Sequence, residues 1–281
     1  AIVIFLGTST GSSMAKFNTL FVTSFNEHLY KATGRSLLKS FTKTNTEGNM
    51  LVTYEGLKLG EMPNNEADKF NNIVYYDLGK DDFLNTWLKE NNDIIPKYLG
   101  GAHPGNFKHK FHKRTSQWFR KIAALHAAMQ YKDDFRYVVF IDSDSQFKQK
   151  VTNSFIKQQF GGASMIYHYG DYRRTHSSGD GADGIGIESG LIGFDLHNGG
   201  DLFLKEVFKQ YTSKSFKTHV RWDDAWMFTI CVKKNINSKI TCKDLVANAS
   251  IRTTHVVATG PFKDHIVHNK GVHWKQHSVQ F

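Results

Sequence analysis

Residues 136–147, RYVVFIDSDSQF, carry five apolar or aromatic residues, Tyr137 to Ile141, straight into two aspartates separated by one serine. An apolar run of this length without polar alternation is the pattern of a strand covered on both faces, as in a parallel sheet. Asp142 and Asp144 then stand at its carboxyl end, where open α/β sheets place their ligands. Two carboxylates at i and i+2 of an extended chain lie on the same face. Brought together, they make a hard, anionic oxygen site suited to Mg²⁺ or Mn²⁺. A cation held in this way can bridge the phosphates of a nucleoside diphosphate. A bare D-x-D elsewhere in a chain more often caps a helix or sits in water, but its place directly after a buried strand favours the metal.

The flanking sequence extends the same pattern. Residues 114–129 carry Trp118, Ile122, Leu125 and Met129 at the spacing of a helix lying on a sheet. Towards the N-terminus, residues 17–25 predict a strand, 29–41 a helix and 50–57 a second strand. That β-α-β unit needs a crossover and therefore a parallel sheet. Residues 71–78 predict a third strand and 81–92 a short helix. Beyond the D-x-D come a helical segment, a strand over 163–169, a polar glycine-rich loop over 170–186 expected to be mobile, and a strand over 188–196. Helices are expected over 201–212 and 223–234. The expected fold class is α/β, with a mainly parallel central sheet flanked by helices. No repeat or linker divides it, so residues 14–281 read as one domain, and residues 1–13, which precede Met14, as a remnant or extension outside it.

Composition narrows the function classes. The chain has 281 residues, 40% of them hydrophobic, which supports a real core and argues against a disordered or fibrous protein. Its formal charge of +10 favours an anionic partner such as a phosphorylated small molecule. The basic residues are spread out, with local bunching only at KHKFHKR (108–114), so no nucleic-acid groove is indicated. Two cysteines, Cys231 and Cys242, make no disulfide framework or zinc motif, and a reducing compartment is expected. No apolar run is long enough to span a bilayer.

Two metal-using classes place aspartates after a buried strand. A haloacid-dehalogenase-like Mg-dependent phosphohydrolase uses D-x-D-x-T near the start of its domain; here the motif comes late and Gln146 takes the T position. The whole chain instead resembles the GT-A fold nucleotide-sugar glycosyltransferases. The resemblance rests on motif order: VTSFN (22–26), VTYEG (52–56), FRKIAAL (119–125), DSD (142–144), ESGLIGFDL (188–196), WDDAWMF (222–228) and HNKG (268–271).

The resemblance implies a UDP-sugar donor held by Thr23, Ser24, Asn26, Tyr54, Glu55, Arg120, Lys121 and Ser143. It implies a metal, Mn²⁺ or Mg²⁺, on Asp142, Asp144 and His268, and a closing segment with Gly271. A histidine in this histidine-rich tail is more commonly a surface residue, and only the following Gly271 singles out His268. The H-x-x-G-x-x-K pattern would want lysine at position 274, which is Trp274, so Lys270 and Lys275 are both candidates for the diphosphate. A metal and a basic side chain at that oxygen would stabilise the departing diphosphate.

An inverting enzyme also needs a carboxylate to take the acceptor proton. Asp223, Asp224 and Glu188 are the candidates, with Asp223 favoured and one of the aspartate pair expected to cap the following helix. Trp222, Trp226, Tyr172 and Trp274 lie near these motifs, with packing as their expected role. Within the family, the chain is similar to glycosyltransferases that large algal viruses (chloroviruses) encode for capsid glycans, among them a β-xylosyltransferase acting on fucose. That likeness implies a soluble enzyme of the host cytoplasm with a glycan acceptor and no nucleic-acid partner.

Overall fold

The computed structural model describes residues 18–57, 72–94, 112, 114–171, 185–236, 238–248, 257 and 259–269. Seven strands form one sheet in the order β3-β2-β1-β4-β7-β6-β8. They are β1 (Thr19–Asn26), β2 (Asn49–Glu55), β3 (Ile73–Asp77), β4 (Tyr137–Ile141), β6 (Met165–Asp171), β7 (Ile185–Asp195) and β8 (Cys242–Asp244). The first four pair parallel to one another, and β6 pairs parallel to β8. β7 runs antiparallel to both β4 and β6. Its amino end therefore lies at the same edge as the carboxyl ends of β1, β2, β4 and β6. A small second sheet pairs β5 (Ser145–Phe147) with β9 (Ile266–His268), antiparallel.

Strand alternation divides the core in two. On β4, Val138 and Phe140 join Leu20, Val22, Phe119, Phe203 and Tyr211 on one face of the sheet. Tyr137, Val139 and Ile141 join Phe21, Met50, Leu37, Phe41 and Phe160 on the other. All five β4 residues are buried, which is why the run shows no polar position. Each such side chain contributes about 1.5–3 kcal/mol relative to an exposed one. The central strand is thus fixed from both sides, and with it the point at which the aspartates emerge.

The helices sit close to their expected places, at Asp82–Glu90, Thr115–Ala128, Asn153–Phe160, Gly200–Thr212 and Asp224–Lys234. The first helical region is longer than its apolar spacing predicts, running from Glu27–Leu29 through a π-helical Tyr30–Gly34 into Arg35–Lys43. Asn26 starts it, its side chain accepting from the Leu29 N–H at 2.9 Å. The expected loop over 170–186 is shorter than its composition implies. Gly170 and Asp171 extend β6, Ile185 and Gly186 extend β7, and residues 172–184 lie outside the described residues. β5, β8 and β9 are three residues each, too short to leave a period-2 signature. Among the described residues no helix is long and apolar enough to cross a membrane.

Candidate metal and active site

β4 ends at Ile141, and the chain turns at once, the Ser145 N–H donating to the Asp142 carbonyl at 3.0 Å. β5 then leaves the turn and pairs with β9 so that Ser145 lies opposite His268. The consequence is a cluster. His268 Nε2 stands 3.0 Å from Asp144 Oδ1 and 3.7 Å from Asp142 Oδ2. One donor atom from each of Asp142, Asp144 and His268 lies within 4.8 Å of the others. Two carboxylate oxygens and one imidazole nitrogen at this spacing suit a divalent cation of the Mn²⁺ or Mg²⁺ class. Asp144 is further fixed through its carbonyl, which accepts from Asn269 N–H at 2.9 Å.

The electrostatics of the cluster follow from crowding. Burial pushes the Asp142 carboxyl up against the pull of Lys121, and the Asp144 charge pushes the same way. Burial alone would lower the His268 imidazole, but the bond to Asp144 and the charges of Asp142, Asp144 and Glu188 hold it above its ordinary value. A metal bound there must displace that proton, so its affinity falls as pH falls.

Gly190 makes the histidine's place. A Cβ at Gly190 would stand 2.5 Å from His268 Cε1, 2.9 Å from its Nδ1 and 3.2 Å from Asp142 Oδ2. Gly190→Ala is therefore expected to drive the ring off Asp144 and to abolish metal-induced thermal stabilisation while the metal-free protein stays folded. Melting curves with and without Mn²⁺ check this, and an unaltered metal response would refute the seat.

An irregularity in β7 supplies the rest of the wall. Ile166 pairs with Gly193 but His168 with Glu188, so two steps along β6 match five along β7. Such bulges re-aim side chains and backbone beside active sites. Here the Gly190 carbonyl accepts from Asp142 N–H at 2.9 Å. The Ser189 carbonyl and Oγ accept from Lys121 Nζ at 2.9 and 3.0 Å. Lys121 also reaches Asp142 Oδ1 at 3.0 Å and Asp224 Oδ2 at 2.9 Å. Burial would lower this amine, yet the two carboxylates hold it well above its usual range.

The two acids of WDDAWMF separate cleanly. Asp223, the expected base, is the helix N-cap, accepting from Trp226 N–H at 3.3 Å. It is also gripped by Arg221, Nε to Oδ1 at 2.9 Å and Nη2 to Oδ2 at 2.7 Å. Both Asp223 oxygens are committed to these contacts, whereas Asp224 reaches the cluster through Lys121. Glu188 is buried, its Oε1 accepting from Gly190 N–H at 3.2 Å.

Of the expected donor-site residues, Glu55 and Arg120 are joined, with Arg120 Nη2 3.0 Å from Glu55 Oε1 and Nη1 2.6 Å from the Ser116 carbonyl. Ser24 is half-buried and Asn26 exposed at the carboxyl end of β1. Ser143 and Tyr54 are buried. Thr23 is wholly buried as well, because β1 is covered on both faces at this point. Gly271, Lys270 and Lys275 lie outside the described residues, as do Tyr172 and Trp274.

Trp222 stacks on His112 at 3.8 Å and gives its indole N–H to the His219 carbonyl, a packing role. His112, a residue the sequence left unassigned, ties the chain before the Thr115–Ala128 helix to the Val220 carbonyl at 2.8 Å. Burial pushes the Cys231 thiol up to about 12 and that of Cys242 to about 11, so neither is a thiolate nucleophile.

No protein-family model matches the chain, and no curated protein matches it. Solved structures do. An active-site mutant of LgtC aligns over 90% of this chain and 88% of its own, at 13% identity and a TM-score of 0.51. Galactosyltransferase LgtC in complex with donor and acceptor sugar analogs aligns over 74% and 68%, at 12% identity and a TM-score of 0.44. Mouse xyloside xylosyltransferase 1, in its apo form, aligns over 81% and 85%, at 14% identity and a TM-score of 0.48. At these identities the likeness speaks to architecture, and the chain has the α/β fold of LgtC, a GT-A fold with the Asp142–Asp144–His268 cluster at the carboxyl end of its central strand.

Proposed function

We propose that this chain is a metal-dependent glycosyltransferase that moves a sugar from a UDP-sugar to a hydroxyl of a glycan acceptor. The observation that carries the reading is the convergence of Asp142, Asp144 and His268 where β4 ends. Mn²⁺ or Mg²⁺ held by these residues would supply positive charge to the diphosphate as it departs. Asp224 and Glu188 are the carboxylates that face the reacting region, with Lys121 setting the position of Asp224. Glu55 and Arg120 border the donor at the carboxyl end of β2. Lys270, Gly271 and Lys275 are assigned to the diphosphate by motif order alone. Residues 14–281 are taken as one catalytic domain, working in a reducing compartment.

The finer assignment is xylose transferred to fucose, as on the capsid N-glycan of a large algal virus; it rests on the resemblance in sequence order. The test is a thermal-shift panel of nucleotide sugars with and without Mn²⁺, followed by NMR of the product. Metal-dependent stabilisation by UDP or a UDP-sugar is expected. Indifference to every nucleotide, or release of phosphate from simple esters with a phosphorylated Asp142, would overturn the proposal in favour of a phosphohydrolase.

A further inference from the structure

The helix Asp224–Lys234 is apolar on two sides but fully covered on one. Met227, Phe228 and Cys231 are buried in the core, whereas Trp226 and Ile230 are only half-buried. Spacing at i, i+4, i+7 and i+8 puts Trp226, Ile230, Lys233 and Lys234 on one face of the helix. Lys233 Nζ stands 5.5 Å from the centre of the Trp226 ring, and the Arg221 guanidinium 5.4 Å from it.

The segments at its two ends add apolar tips. Among the described residues the exposed large hydrophobics are Val220, at 53%, Ile236, at 73%, and Leu202, at 54%. Val220 precedes the helix and Ile236 follows it. Leu202 lies one turn before Glu206, whose Oε2 accepts from Asn235 Nδ2 at 2.7 Å, so it stands on the Ile236 side. Three such tips around one helix differ from the scattered single ones that are normal on a protein surface.

Charge has the same bias. From Thr218 to Ile240 the only acids are Asp223 and Asp224, both buried, whereas Lys233, Lys234 and Lys239 are all exposed. The acids beside Leu202 are tied up, Asp201 by Lys205 and Glu206 by Asn235. Tryptophan and isoleucine joined to lysines make the composition of a helix lying in a lipid–water interface. The indole suits the headgroup level and the lysines suit anionic lipid. A second copy of the chain fits less well, since a two-fold contact would set the lysines of one copy against those of the other.

We propose that the outer face of the Asp224–Lys234 helix, with Ile236 and Leu202, docks on an anionic membrane surface. Asp224, on the buried side of that helix, then lies about one helix diameter, 10–12 Å, from the headgroups. The docking does not depend on the reaction assigned above.

The experiment is co-flotation of the full chain with vesicles of phosphatidylcholine, alone or mixed with phosphatidylserine. Binding is expected to the mixed vesicles only, weakening as salt is raised. Each lysine near an anionic surface is worth about fivefold in partitioning, so Lys233→Gln, Lys234→Gln and Lys239→Gln together should weaken binding about 100-fold. Ile236→Ser should weaken it about tenfold through lost apolar insertion. All four side chains are exposed, and melting temperatures close to that of the parent are expected. Lys43→Gln, Lys89→Gln and Lys132→Gln remove the same charge from exposed positions on other elements and should leave binding nearly unchanged.

Absence of binding to the mixed vesicles, equal losses in the two lysine triples, or an unaffected Ile236→Ser would overturn the proposal. Dimerisation that rises with concentration and is abolished by Ile236→Ser would overturn it in favour of self-association through the same face.

Discussion

Asp144→Asn is expected to reduce metal-dependent turnover about 10²- to 10³-fold, the scale on which loss of one preorganised electrostatic contact is felt in a transition state. Asp144 is the carboxylate closest to His268, at 3.0 Å, and it is only 13% exposed. Asparagine keeps its shape and removes its charge. The loss should therefore appear in metal affinity rather than in folding. With metal at about 100 times its dissociation constant, the parent protein gains about 2.7 kcal/mol. For a chain of this size that is a rise in Tm of roughly 5 °C. The variant should show none of that rise at the same concentration, while its metal-free Tm stays the same or increases as like-charge crowding with Asp142 is relieved. A metal-dependent rise that survives the substitution, or catalysis that persists in chelator, would remove the cluster from the mechanism.

Lys121→Met is expected to be the most destabilising substitution at the site, by about 3–5 kcal/mol. The amine is 11% exposed and bridges Asp142, at 32%, to Asp224, at 3%. Removing it leaves a buried carboxylate at the start of the Asp224–Lys234 helix facing a second one, with the Ser189 carbonyl also deprived of its donor. The sign with pH is definite. The folded amine titrates above its unfolded value of about 10.4. Its stabilisation is therefore complete below about pH 10, begins to fall as pH passes the unfolded value, and is gone once pH has risen through the folded value. Urea melts at pH 7 and at pH 11 should show the gap between parent and variant narrowing at the higher pH. Adding Asp224→Asn to Lys121→Met should restore part of the loss, and a purely additive double variant would show that the two residues are uncoupled.

These two residues mark how far the sequence could be read. Asp142 and Asp144 were legible because a run such as Tyr137 to Ile141 has one physical interpretation, a strand covered on both faces, and whatever follows it lies at the sheet edge. Lys121 was legible as a basic residue near that edge, with a donor-binding role expected of it. Its partners within the protein, Asp142, Asp224 and Ser189, come from three separate segments, and no spacing along the chain encodes their meeting. The surroundings of Asp223 and Asp224 were not legible for a similar reason. Two adjacent acids before a helix look alike in one dimension, and only the Arg221 fork and the capping geometry separate them.

What the sequence determined by itself is the class and order of the elements, since local apolar periodicity requires no knowledge of what packs against it. Motif order likewise pointed to the edge that carries the acidic cluster. The tertiary structure alone decided the chemistry of that edge. β5 and β9 are too short to announce themselves, yet their pairing carries His268 to the aspartates from more than a hundred residues away in the chain. The offset between β6 and β7 sets His168 opposite Glu188, and Gly190 leaves the space in which His268 sits. Each of these is a contact between distant segments, fixed by register and by the close packing of rigid side chains, and those are properties of a folded surface rather than of a linear pattern.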